Sequence, residues 1–198
     1  CTSCYFHFNT KKKKINWDLR KKEFDNLINK IRKKKNEGFD VLVPVSGGKD
    51  SITQVHYMLK AGLRVLALNV DYGFKTDIGD YNLNLIPKMG ASLFVFRPNM
   101  KIHRKVLKIS FEKYGDPDLM SHCLLHALPI KTAIKFNIPL VFLGENSAYE
   151  YSGDKTYDEK KMSFKWFKNY AANNGITPKK FSKEHNISFN KIDIYNLP

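Results

Sequence analysis

Hydrophobic residues follow two spacings along this chain. Short apolar runs bounded by glycine, proline or polar residues predict four strands: buried ones at Phe39 to Val45 and Arg64 to Val70, and two more at Ser92 to Phe96 and Ile138 to Leu143. Between them apolar residues recur three, four and seven apart among charges, the spacing of one helix face. The first such stretch runs from Trp17 to about Asn36, with Trp17, Leu19, Phe24, Leu27, Ile28 and Ile31 inward. A second carries Ile52, Val55, Met58 and Leu59, and Gly62 ends it. Asp80 to Met89 predicts a short helix capped by Asp77 or Asp80 and closed by Gly90. Lys101 to Tyr114 follows, with Ile102, Val106 and Ile109 inward and Lys105 and Leu107 beside them, and Gly115-Asp116-Pro117-Asp118 breaks it. Met120 to Phe136 is a long apolar helix. Strands alternating with helices of this length imply βαβ units, hence an α/β, doubly wound parallel sheet with helices on both faces.

In such sheets ligands gather outside the carboxyl ends of the strands, where the strand order reverses. Three chemistry-bearing stretches fall on that rim. The first is Ser46-Gly47-Gly48-Lys49-Asp50-Ser51, a turn between a buried strand and a helix N-terminus. A bare glycine pair reads as a hairpin, or as a helix cap with Ser51 or Asp50 at the N-cap. This sequence offers more. Adjacent glycines let several amides converge on an anion, the helix dipole favours a phosphate, Lys49 adds charge, Ser46 and Ser51 add hydroxyls, and Asp50 suits a magnesium ion bridging phosphates. The second stretch, Asn69 to Gly73 with Asp71-Tyr72-Gly73 at its tip, reads equally as an adenosine site or an ordinary turn. The third is Gly144-Glu145-Asn146, where a carboxylate and an amide suit a hydroxylated substrate or an ammonia nucleophile, and where a helix cap is the plainer reading.

The first turn is not a Walker A loop, because Val43 and Asp50 stand where that pattern needs glycine and Ser or Thr. It resembles instead the PP-loop of the N-type ATP pyrophosphatases, which cleave ATP between its α- and β-phosphates. With Ile15-Asn16-Trp17, Arg20, Glu23-Phe24, the stretch from Phe39 to Ser51, His103-Arg104, Gly115-Asp116-Pro117, the Cys123 region, and Phe136 to Leu140 closing on Gly144-Glu145-Asn146, residues 1 to 153 resemble the N-acetyl sugar amidotransferase family. These enzymes act in bacterial surface-polysaccharide (lipopolysaccharide) biosynthesis and in pseudaminic-acid-type pathways of flagellin glycosylation. The resemblance implies a HUP-type fold and an ATP- and Mg2+-dependent enzyme that adenylates the acetamido oxygen of an N-acetylated sugar, linked to a nucleotide or glycan precursor, and lets ammonia displace AMP. Lys49, Asp50 and Glu145 are the catalytic candidates; Ser46, Gly47, Gly48, Lys49, Asp50, Ser51, Asn69, Asp71, Gly73 and Gly144 would bind ATP, and Asn146, His122 and Cys123 would contact the substrate. Ammonia would arrive from glutaminase and cyclase-like subunits. Family members carry two cysteine pairs before the PP-loop and continue beyond residue 198; here Cys1 and Cys4 alone stand in place of the zinc ribbon.

Composition refines this picture at a few points. The 198 residues suit one α/β domain, and the boundaries expected are 1–16 for a segment holding the partial Cys-x-x-Cys, 17–153 for the ATP pyrophosphatase domain, and 154–198 for a polar tail with Phe164, Trp166, Phe167 and Tyr170 at helical spacing. A start at Cys1 and an end at Pro198 without a closing element suggest a fragment. No apolar run is long enough to span a bilayer and no signal peptide is visible, so the expected location is cytoplasmic. Two imidazoles and a thiol, His122, Cys123 and His126, share a helix and raise a metal site, but with no carboxylate or second cysteine near them in sequence, packing or substrate contact is the commoner reading. The net charge of +15 raises an RNA partner, yet only five of the 34 basic residues are arginines, the side chain that reads phosphates in forks. A tRNA-thiolating enzyme of the same superfamily and a non-catalytic nucleotide- or RNA-binding module are the alternatives. The first usually needs paired internal cysteines and the second a degraded loop; neither is present.

Overall fold

The computed structural model describes Cys4 and residues 15–34, 37–144 and 175–198. Its elements are α1 (Trp17–Lys33), β1 (Val41–Pro44), α2 (Lys49–Lys60), β2 (Val65–Val70), α3 (Asp77–Lys88), β3 (Ser92–Phe96), α4 (Met100–Tyr114), α5 (Leu119–Lys135) and α6 (Pro178–Glu184), then two 3-10 turns, Phe189–Lys191 and Asp193–Tyr195. The three strands are parallel in the order β1-β2-β3, with Val41 opposite Val65 and Leu66 opposite Ser92.

The expected fourth strand is reduced to a single parallel bridge, Leu42 to Val141. The Leu42 amide donates to the Leu140 carbonyl at 2.8 Å and the Phe142 amide to the Leu42 carbonyl at 2.9 Å. Pro139 has no N–H, so pairing starts only beyond it. The Val41 and Val45 amides point the other way, to the Arg64 and Leu68 carbonyls of the β2 side. The chain thus steps outward from β1 to β3 and returns on the far side of β1. The reversal falls between β1 and residues 140–142, and the turn after β1 sits at that switch point.

Both faces of the sheet are covered, as expected. Val41, Val43, Val45, Val65 and Ala67 pack against Ile28 and Ile31 of α1, Val55 and Met58 of α2, and Leu83 and Ile86 of α3. Leu42, Leu66 and Leu68 pack against Val106 of α4 and Leu119, Met120, Cys123, Leu124 and Leu128 of α5. Each such side chain contributes about 1.5–3 kcal/mol on leaving water.

Three details correct the sequence reading. The helix ahead of β1 buries only Ile28 and Ile31, while Trp17 and Leu19 are 67% and 52% exposed. A helix of 17 residues is about 25 Å long, whereas a strand of four residues covers about 13 Å, so its first turns overhang the core. The cap of α3 is Thr76, whose hydroxyl accepts from the Gly79 amide at 3.1 Å; Asp77 and Asp80 lie within the first turn, where the dipole favours acids. The end of the chain is also part of the core: Phe181, Ile192 and Tyr195 are at most 2% exposed and pack with α4 and α5. The aromatic positions Phe164 to Tyr170 lie outside the described residues.

Candidate active site

The turn after β1 is fixed by one residue that must be glycine. Gly47 has φ +86°, a left-handed conformation, and a Cβ there would run into the Gly79 carbonyl at the start of α3. Its own carbonyl accepts from Asn82 Nδ2 at 2.9 Å, so the turn is seated on α3 from above and tied to it from the side. Gly48 is the N-cap of α2 and supplies no side-chain cap, which leaves the amides of the helix's first turn to whatever lies outside. Ser51 Oγ donates to the Gly48 carbonyl at 3.0 Å and accepts from the Ser46 amide at 3.3 Å, while Ser46 Oγ accepts from the Gly48 amide at 3.3 Å. The two hydroxyls brace the loop, and Ser46 itself faces solvent.

Lys49 and Asp50 open α2 side by side. Lys49 Nζ lies 2.8 Å from Asp50 Oδ1, with the two side chains 86% and 80% exposed. An ion pair in that setting is worth about 0–1 kcal/mol, so an incoming anion for Lys49 or cation for Asp50 separates it at little cost.

The end of β2 divides the candidates there. Asn69 is 3% exposed; its Nδ2 donates to the Val45 carbonyl at 2.8 Å, and its Oδ1 has no partner among the described residues. Asp71 is 1% exposed with both oxygens engaged. Oδ1 accepts from the Gly73 amide at 2.8 Å, and Oδ2 takes Arg97 Nε at 3.1 Å, Arg97 Nη2, and Lys75 Nζ at 3.5 Å. Arg97 first, and the Gly73 amide after it, hold the Asp71 carboxyl below the usual carboxylate range. Asp71 therefore ties the tip of β2 to the residue after β3 and shapes Gly73 around itself, rather than presenting a carboxylate outward. Tyr72 stacks on His103 of α4 at 4.6 Å between ring centroids, and His103 Nδ1 meets Tyr195 Oη at 2.9 Å.

Beyond the Val141 bridge, a Cβ on Gly144 would come within 2.8 Å of Gln54 Nε2, so α2 closes against residue 144. Gln54 Oε1 is buried without a partner among the described residues. Glu145 and Asn146 lie outside the described residues, as does Cys1; Cys4 is exposed. The His122-Cys123-His126 cluster does not assemble. Cys123 is 0% exposed among Leu119, Met120 and Leu124, and burial pushes its thiol up to about 12. Burial first, and then the neighbouring His122, push His126 down to about 4, while His122 faces solvent. A thiol inside the core cannot meet a substrate at the rim. Among the described residues, no three His, Cys, Asp or Glu side chains group to hold a metal ion.

Asn82, Arg97 and Gln54 were not singled out from the sequence. Arg97 was the most accessible to inference, because it follows β3 directly and so belongs on the same rim.

No family model matches the chain, and no curated protein matches it. Among solved structures the chain is similar to NMN synthetase from Francisella tularensis, with a TM-score of 0.43 and 17% identity over 64% of this chain and 55% of that one. The chain thus spans about half the length of that structure. None of its helices among the described residues is long and apolar enough to cross a membrane.

Proposed function

We propose that this chain is an AMP-forming ATP pyrophosphatase that converts an acetamido group of an N-acetylated sugar to an acetamidino group. The observation that carries the reading is the Gly47 turn: a left-handed glycine seated on α3, followed by a helix N-terminus without a side-chain cap, at the switch point of a parallel sheet. That arrangement suits a diphosphate, whose charge meets oriented amides and the positive end of a dipole.

An amide carbon is a poor electrophile, and adenylation gives it a leaving group. The acetamido oxygen attacks the α-phosphorus of ATP, an O–P bond forms, and the bond to the bridging oxygen breaks to release pyrophosphate. Ammonia then adds at the activated carbon, the C–O bond breaks, AMP departs, and loss of a proton from nitrogen leaves the acetamidino group. The Gly47 amide, the amides of the first turn of α2, the Ser46 hydroxyl and Lys49 would stabilise charge growing on pyrophosphate, while Ser51 and the Gly48 amide hold the loop in shape. Asp50, exposed at the loop's outer edge, would hold Mg2+, which supplies Lewis-acid neutralisation of the phosphates. Asn69, with an uncommitted buried carbonyl oxygen, is the adenosine contact this reading favours at the end of β2. Glu145 is assigned the proton from ammonia and Asn146 the substrate, on the strength of their position after Gly144. Ammonia would come from glutaminase and cyclase-like partner subunits, and the enzyme would work in the cytoplasm.

The test is pyrophosphate release with ATP, ammonium and N-acetylated sugars, with mass spectrometry of the sugar for the product. Release should require all three components, and Asp50→Ala should abolish it with the circular dichroism spectrum unchanged. Release driven by tRNA and a sulfur donor would favour thiolation, the reading that the charge of +15 supports and the buried Cys123 disfavours.

A further inference from the structure

Among the described residues β3 closes one side of the sheet, while residues 140–142 lie beyond β1 on the other. The Phe96 carbonyl accepts from the Asp71 amide at 2.8 Å, so Phe96 faces β2. In a parallel ladder the N–H and C=O of one residue point to the same side, and successive residues to opposite sides. Ser92 and Phe94 therefore face β2 as well, while Leu93 and Val95 turn their backbone groups outward, with no strand beyond them among the described residues. Natural sheets blunt such an edge with a lysine, a proline or a bulge. This strand has none: it reads Ser-Leu-Phe-Val-Phe, pairs with β2 in unbroken register, and follows Met89-Gly90-Ala91, which is also uncharged. Its edge is apolar on both faces. Phe94, on the α4 and α5 side, is 39% exposed, and Val95, on the other, 44%. Phe94 meets Phe136, itself half exposed, at 6.4 Å between ring centroids.

The edge is complementary to itself. A twofold axis at Phe94 sets Leu93 opposite Val95 of a second copy, and Val95 opposite its Leu93, so the positions with outward backbone groups exchange both N–H···O bonds. Phe94 then stands opposite its own copy at a non-hydrogen-bonded position, where side chains come closest and two aromatic rings stabilise the pair. An axis at Leu93 would call on the Ala91 amide, already given to the Ile86 carbonyl at 3.3 Å, and one at Val95 would call on Arg97, beyond the strand. No charged side chain stands on the paired strand, so none loses water to the contact.

We infer that two copies of this chain pair antiparallel through β3, about an axis at Phe94, joining their sheets into one. Antiparallel pairing sends the two carboxyl rims to opposite ends, so each Gly47 turn stays open. Each copy carries a net charge of +15, so the contact forms against a long-range repulsion that salt screens. The dimer therefore tightens as salt rises, whereas an acidic strand of another protein on the same edge would loosen.

The test is sedimentation velocity of the 198-residue chain from about 1 to 100 µM at several salt concentrations. A monomer–dimer equilibrium should appear and tighten with salt. Phe94→Lys and Phe94→Glu should each weaken it at least about tenfold, because each sets a charge against its own copy, and an equimolar mixture of the two should restore it. Both variants should keep the circular dichroism spectrum of the parent chain. Val95→Lys, at the more exposed position, should weaken the dimer as well, and amide exchange at Leu93 and Val95 should slow as concentration rises. A chain that stays monomeric would overturn the inference. In that monomer, protected Leu93 and Val95 amides would assign the edge to the chain's own residues, and freely exchanging ones would leave it to a strand of another protein. A dimer indifferent to both Phe94 variants, a mixture that fails to restore it, or a dimer that loosens with salt would overturn the inference equally. Neither ATP nor a sugar enters the measurement, so its outcome is separate from that of the proposed reaction.

Discussion

The two ends of the sheet are each closed by an arginine on a buried aspartate, yet they are built for different ends. At the amino edge, Asp40 is 7% exposed and takes the Arg64 amide at 2.9 Å, Arg64 Nε at 3.0 Å and Arg64 Nη2 at 2.7 Å, locking the start of β1 to the residue before β2. At the carboxyl edge, Asp71 takes Arg97 Nε and Nη2 on Oδ2 alone and the Gly73 amide on Oδ1, and around it polar capacity is left over. Among the described residues Asn69 Oδ1 and Gln54 Oε1 lack partners, α2 begins without a side-chain cap, and Arg97 Nη1 is uncommitted. Of the three buried side-chain atoms without partners among the described residues, only Ser110 Oγ, in α4, lies apart from that rim. Buried polar groups are ordinarily satisfied, so their concentration at one edge marks where something else is expected to bind.

Substitutions at the two edges should therefore separate activity from stability. The largest effect is expected for Gly47→Ala. Its Cβ meets the Gly79 carbonyl in a backbone conformation unfavourable to L-residues, and pyrophosphate release should fall about a hundredfold, or some 2.7 kcal/mol in the barrier. Retained activity would break the comparison outright. Asp40→Ala should do the reverse. Loss of a carboxylate bonded three ways, discounted because Arg64 is half exposed, should cost about 2 kcal/mol of stability by urea unfolding while KM for ATP stays unchanged.

Acid sharpens the picture next. Arg64 holds Asp40 low, and Arg97 with the Gly73 amide holds Asp71 low, so both contribute stability above the ordinary carboxylate pKa of about 3.9 and lose it only as pH falls below that. Neither edge should respond between pH 5 and 8. His126, pushed down to about 4 from an ordinary value near 6.5, binds its proton in the unfolded chain first, so stability declines as pH falls from about 6.5 towards 4. Between pH 7 and pH 5.5 that loss is about 1 kcal/mol, and His126→Gln should flatten it. His103, which burial also holds below its ordinary value, contributes to the same decline, so an equal slope in the variant would assign the acid response to His103 instead. The smallest effect is expected for Lys49→Gln, within about 0.5 kcal/mol in stability, because its pair with Asp50 is fully hydrated.

The sheet and its helices were legible because period decides them: β3 has the bounds that the run Ser92 to Phe96 predicts, and β2 starts one residue inside the predicted Arg64 to Val70. The Gly47 turn was legible too, since strand, glycine pair and helix start are local. What escaped was long-range. Asn82 reaches the turn from 35 positions away, Arg97 claims Asp71 from 26, and Tyr195 reaches His103 from 92, none of which any periodicity encodes. Whether Cys123 packs in the core or meets the substrate stayed open for a related reason. Its helix is apolar nearly all round, with ten buried residues, so no polar stripe says which side faces the sheet.

The seat of Gly47 on α3 has a consequence for recognition. A loop that must order itself around an anion loses affinity to that ordering; here contacts within the fold set the contour, since Asn82 bonds the Gly47 carbonyl and the Gly79 carbonyl fills the space beside it. Preorganisation of this kind makes the cradle selective by dimension: it cannot swell for a longer chain of phosphates or shrink for a smaller anion without lifting off the helix beneath it.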